Sequence, residues 1–130
     1  MNTLLNILRN EIEKGDYATA LKHLDNYIAD HGKSAEVFAQ RGDLNRLLKN
    51  IQAAIDDFTS SINLEPNNPV YYHKRAELKE ELEDHVGALN DYYRAYDQSL
   101  KFAKYNSLSP RYWNDYECVH QLLIERNRTI

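Results

Sequence analysis

The sixteen residues from Ala53 to Asn68, AAIDDFTSSINLEPNN, decide the fold. Ala54, Phe58 and Ile62 stand four apart, the spacing of residues that share one face of a helix. Thirty-four residues earlier the same three positions hold Ala20, Leu24 and Ile28, and thirty-four later they hold Ala88, Tyr92 and Tyr96. One small and two larger apolar residues return three times at a fixed interval, which is the mark of a repeated structural unit.

The boundaries recur with the same period. Asp16, Asn50 and Asp84 each precede one of the recurring segments. Their short side-chain oxygens suit them to accept from an N–H of the first helical turn. Ser34 and Asn68 are placed to cap the other helix of each pair, and Asn68 is followed by Pro69 at a position where a missing N–H does no harm. Ser109-Pro110 repeats that device and predicts a last helix. Outward from Ala53, apolar spacing stays helical: Leu4, Ile7 and Leu8, then Leu44, Leu47, Leu48 and Ile51. No segment alternates with the period of a strand. The expectation is an all-α chain with hairpin helices over 2–14 and 17–30, 35–48 and 51–64, and 69–82 and 85–104. A final helix is expected from about 110 to 127, all within a single domain, 1–130.

Composition bounds the function. Apolar residues make up 42% and charged residues 28% of 130, which suits a globular domain rather than a disordered chain. The net charge of −4, with both signs interspersed, offers no concentrated basic surface for nucleic acid. No run approaches the roughly 18 apolar residues of a membrane span, and the charged start MNTLLNILRNEIEKG does not read as a secretory leader. The lone Cys118 cannot form an internal disulfide. A cytoplasmic location is the default expectation.

The repeat resembles the tetratricopeptide repeat family, whose unit of 34 residues is a pair of antiparallel helices. The match is fullest over 35–68: Phe38 stands where the family often has Trp, Gly42 is the small residue of the first helix, Ala54 and Phe58 form its Ala-x3-Phe element, and Pro66 closes the unit. The unit at 69–102 follows with Tyr72, Ala76, Ala88 and Tyr92, but has Leu100 in place of the closing proline. In the unit at 1–34, Leu4, Ala20 and Leu24 fit, while Leu8 and Gly32 depart, as a terminal unit should. The resemblance implies an α-α superhelix of three helix-turn-helix repeats closed by a C-terminal capping helix. It implies a non-catalytic interaction module, a scaffold or adaptor that takes a peptide or protein segment in a concave groove. Carried over residue by residue, that groove would present Leu5, Asn6 and Arg9, then Ala39, Gln40 and Asp43, then His73, Lys74 and Glu77. The family's clamp for chaperone C-termini falls on Leu5, Arg9, Gln40, Val70 and Lys74, where only Lys74 keeps a basic residue that the clamp requires. Chaperone tails are therefore not the expected ligand.

Catalytic patterns are lacking. There is no phosphate-cradling glycine loop, no HExxH helix and no GxSxG elbow. Glu81 and His85 are separated by the turn expected at Asp84, and Cys118 and His120 point apart on a helix. Asp56 and Asp57 also diverge, which suits solvation, and Cys118 reads as a buried apolar filler. The expectation is no enzyme, no cofactor and no metal. The second surface feature is aromatic. Eight of ten tyrosines lie between residues 71 and 116, and the repeat leaves Tyr93, Tyr105, Tyr112, Trp113 and Tyr116 unexplained. These residues would either bury as the last helix seals the third hairpin or form an association patch (Tyr105, Tyr112, Trp113, Tyr116) that could make a homodimer.

Overall fold

A computed structural model describes residues 2–128. Seven α-helices and no strands occur among the described residues: α1 (Asn2–Glu13), α2 (Tyr17–His31), α3 (Ala35–Leu47), α4 (Ile51–Leu64), α5 (Pro69–Glu81), α6 (His85–Lys101) and α7 (Ser109–Arg128), with a 3-10 segment over Ala103–Leu108. The chain divides into two compact units, Met1–Leu64 and Glu65–Ile130.

The first unit holds two hairpins, α1–α2 and α3–α4. Its apolar centre gathers Leu4, Leu8, Ala20, Leu24, Val37 and Leu44, with Tyr17, Tyr27 and Ile28 packed on it. Within α3–α4 the reason for the small residue is explicit. A Cβ added to Gly42 would lie 2.8 Å from the Phe58 ring, so any larger residue there would force the ring or the helices to shift. Ala54 beside it has no exposed surface, and Phe58 is 1% exposed. Ser61 adds a polar tie, its hydroxyl donating to the Ala35 carbonyl over 2.8 Å.

The second unit holds the hairpin α5–α6 and the helix α7. Ala76, Ala88, Tyr92 and Val119 form its centre, with Leu89, Tyr116 and Leu123 packed against them. Counted from their first residues, α3, α5 and α7 share a pattern. Three positions in, each buries an aromatic ring: Phe38, Tyr72 and Tyr112. Seven positions in stand Gly42, Ala76 and Tyr116. α7 is thus built like the first helix of a further hairpin, with a ring where the earlier helices are small.

The turns carry the period too. Gly15, Lys49 and Glu83, each 34 apart, have φ of 77°, 66° and 61°, the left-handed conformation that lets a helix end and the chain reverse. After them Asp16, Asn50 and Asp84 donate their N–H to Glu11, Asn45 and Lys79 carbonyls in the same 6→1 pattern. Asp16 and Asp84 cap α2 and α6 through Thr19 and Gly87, and Asn68 caps α5 through Val70, as expected.

Three expectations fail. Ser34 makes no side-chain cap bond. α6 ends at Lys101 rather than near 104, because Phe102 turns extended and the 3-10 segment brings the chain back. Ser109 does not cap α7: it is already helical at φ −55° and ψ −45°, and its buried hydroxyl instead meets that of Ser99 at 2.8 Å. That hydrogen bond is what the reversal makes, joining the start of α7 to the end of α6.

Candidate functional site

A recurring polar clamp is the feature that the sequence reading missed. Arg41 on α3 grips Asp57 on α4 with Nε at 3.0 Å and Nη2 at 2.8 Å from Oδ1, while Asn45 donates to Oδ2 over 2.9 Å. Thirty-four residues on, Arg75 grips Asp91 at 2.7 and 2.8 Å, and Lys79, in the place of Asn45, reaches the same carboxylate at 2.9 Å. Asp57 and Asp91 are buried, so the solvated Asp57 expected from its neighbour Asp56 is not what forms. A buried carboxylate needs such donors, since desolvation without them costs several kcal/mol. Hydrogen bonding to Asp57 outweighs desolvation and pushes the Arg41 guanidinium above its ordinary value. Arg41 also donates to Asp25 of α2 over 3.1 Å, which ties the two hairpins of the first unit. The signal was present: Arg and Asp sixteen residues apart, twice, at the interval of the repeat.

The residues carried over for binding fall as follows. In the first unit Asn6 and Arg9 are exposed on α1, three apart on one face, with Leu5 half-buried beside them. Gln40 and Asp43 occupy the same spacing on α3, both half-buried, with Ala39 also half-buried. In the second unit Lys74 and Glu77 are half-buried on α5. His73 is different. It is 5% exposed, so it does not offer itself as a surface residue. Its Nε2 lies 2.6 Å from Asp115 of α7 and its Nδ1 lies 3.2 Å from Glu77. The rings of Tyr112 and Tyr92 stand 4.8 and 5.3 Å from it. Burial alone would lower the imidazole pKa, but the hydrogen bonds to Glu77 and Asp115 prevail and raise it. Burial, then a hydrogen bond to Glu80, pushes the Tyr92 hydroxyl far up; burial likewise raises Tyr112.

The aromatics divide between the two expected fates. Tyr112 is 4% exposed and packs on His73, so it belongs to the interior of the unit and not to an association patch. Tyr116 is half-buried and contacts Tyr93, Trp113 and His120. Trp113 also contacts Tyr96 at 5.0 Å. Tyr105 is half-buried in the 3-10 segment, with the Lys104 ammonium 5.4 Å from its ring. Tyr93 and Trp113 remain 51% and 40% exposed, leaving the outer edge of this ring chain in solvent. Cys118 is exposed as well, contrary to the buried filler expected. It is Val119, one residue and about 100° further round α7, that reaches the core.

Among the described residues no group of three or more His, Cys, Asp or Glu side chains is arranged to hold a metal ion. No helix among them is long and apolar enough to cross a membrane.

Repeated helical hairpins of 34 residues, closed by small residues against rings, decide the comparison with known proteins. The chain has the tetratricopeptide-repeat fold. No protein-family model matches it. Over 68 residues, 52% of the chain, it is 32% identical to the human small glutamine-rich tetratricopeptide repeat-containing protein beta, and the match spans 22% of that relative's length. Among solved structures it is similar to PcrH of Pseudomonas aeruginosa; the complex of PcrH with the chaperone binding region of PopD gives a TM-score of 0.82 at 20% identity, covering 92% of this chain and 90% of that one. The Yersinia enterocolitica chaperone SycD, in complex with a peptide of the translocator YopD, gives 0.81 at 16% identity, covering 92% of each chain. The TPR2B domain of yeast Sti1, in complex with pHsp70, gives 0.80 at 18%, covering 93% of this chain and 96% of that one.

Proposed function

We propose that this chain is a non-catalytic protein-binding module that takes a peptide or protein segment on the first helices of its hairpins. The observation that carries the reading is that structures of this fold at TM-scores of 0.80 to 0.82 hold peptide segments of other proteins. The binding side chains are Asn6 and Arg9 on α1, Gln40 and Asp43 on α3, and Lys74 and Glu77 on α5. Their mixed polarity suits hydrogen bonding to an extended backbone with a few side chains read by charge. The role is that of a scaffold or adaptor acting in the cytoplasm. A peptide library displayed on phage, selected against the wild type and then tested on an Arg9→Ala/Gln40→Ala/Lys74→Ala variant, tests it. Selected peptides should bind the variant at least about tenfold more weakly, the loss of about 1.4 kcal/mol. Peptides bound equally by both, with both folded by circular dichroism, would refute the assignment of these residues.

A second reading rests on the exposed edges of Tyr93 and Trp113: self-association through α6 and α7. Sedimentation of the wild type across a wide concentration range tests it. A monomer at every concentration would remove it.

A further inference from the structure

We propose that docking of α7 in the second unit is tightened by a proton: the buried His73 imidazole donates to Glu77 of α5 and to Asp115 of α7 at once only while both ring nitrogens carry hydrogen. The geometry forces the argument. Nε2 faces a carboxylate oxygen of Asp115 at 2.6 Å, and Nδ1 faces one of Glu77 at 3.2 Å. A carboxylate only accepts, and a neutral imidazole has one N–H, so the neutral ring leaves one nitrogen lone pair against an oxygen lone pair. The imidazolium satisfies both. The ring itself is 5% exposed and enclosed by Tyr92 and Tyr112, while the side chains of Glu77 and Asp115 keep 30% and 38% of their surface in solvent.

The groups facing the ring set the direction. From α5 come Glu77 and, through the Tyr92 hydroxyl it binds, Glu80; from α6 comes Tyr92; from α7 come Asp115 and Tyr112, with Arg111 next to the latter. The two carboxylates in direct contact favour the charged ring and raise its pKa above the ordinary 6.5. A histidine raised in the folded state contributes its full stabilisation below its unfolded value, and that contribution is lost as pH rises through the folded one. α7 is therefore held most firmly below the ordinary histidine value and loosens in its first half as the pH rises through the raised folded value of His73. Val119 and Leu123 keep the second half in place.

Trp113 reports this directly, being the one tryptophan and lying on α7 between Tyr96 and Tyr116. Its accessibility to acrylamide, followed from pH about 5 to about 9, should rise in a single transition centred above the ordinary histidine value. Asp115→Asn gives His73 a neutral partner that can accept one hydrogen bond, so its transition should move to lower pH. His73→Gln should have no transition. His120→Gln, which changes the other histidine near Trp113, should keep the wild-type curve. Flat quenching in the wild type, an unshifted transition in Asp115→Asn, or its loss in His120→Gln would each overturn the proposal. If His73→Gln does not fold, the Asp115→Asn shift decides.

Discussion

The hairpins α3–α4 and α5–α6 follow one plan and differ at the foot of their polar clamps. Asp57 is met by one guanidinium and one amide, from Arg41 and Asn45; Asp91 is met by two cations, Arg75 and Lys79. The packing above them is matched, with Phe58 against Gly42 in one and a buried Tyr92 in a core with Ala76 in the other. These two hairpins keep the buried carboxylate and its arginine while the second donor varies in charge; the hairpin α1–α2 has Ile7 and His23 at the corresponding positions and forms no such clamp. The change of second donor makes α3–α4 and α5–α6 unequally tolerant of losing the arginine.

That inequality can be broken directly. Arg41→Ala leaves Asp57 buried with only an amide for company and should destabilise by about 3–5 kcal/mol. Arg75→Ala leaves Lys79 on Asp91 and should cost about 1–2 kcal/mol, nearer the value of one charged hydrogen bond. Urea denaturation of the two variants giving equal losses would undo the comparison. Next in size, Gly42→Ala should cost about 1–3 kcal/mol through overpacking against Phe58, despite alanine's better helix propensity. In a Phe58→Ala background that cost should vanish; its persistence in the double variant would mean that the ring is not the reason for the glycine.

Smaller effects sharpen the picture at the helix ends. Asn68→Ala should cost about 1 kcal/mol by removing the cap on Val70. Ser34→Ala should stay within about 0.5 kcal/mol, since Ser34 makes no cap bond. At the turns, Lys49→Gly and Glu83→Gly should each raise the denaturation midpoint slightly, a gain of about 0.5 kcal/mol in stability, because a left-handed φ is strained for residues with a Cβ. A fall in the midpoint would show that these side chains contribute more than their backbone strain.

The hairpin plan was legible because packing leaves a periodic trace. Ala54, Phe58 and their counterparts must recur wherever two helices close, and Asp16, Asp84 and Asn68 declare their ends through local bonds. The clamps were not read because Asp57 beside Asp56 looks like a solvated pair until a partner on another helix is considered. His73 was read as a surface residue for a related reason: Tyr112, which packs on its ring, and Asp115, which it meets through Nε2, lie on the tail helix outside the period. Ser109-Pro110 carries a cap's sequence signature, yet the serine serves a contact with Ser99 that only the reversal after Phe102 creates. Local rules located the helices; contacts between helices, within the hairpins and with the tail, decided which polar groups are inside.

Tyr116 stands on α7 where α3 has Gly42 and α5 has Ala76. On α3, even a methyl group at that position would strike the ring of the helix that follows. A phenol is far bulkier than glycine or alanine, so a following helix could not lie on α7 as closely as α4 lies on α3; the hairpin α1–α2, with Leu8 at that position, shows the looser closure that a large side chain permits.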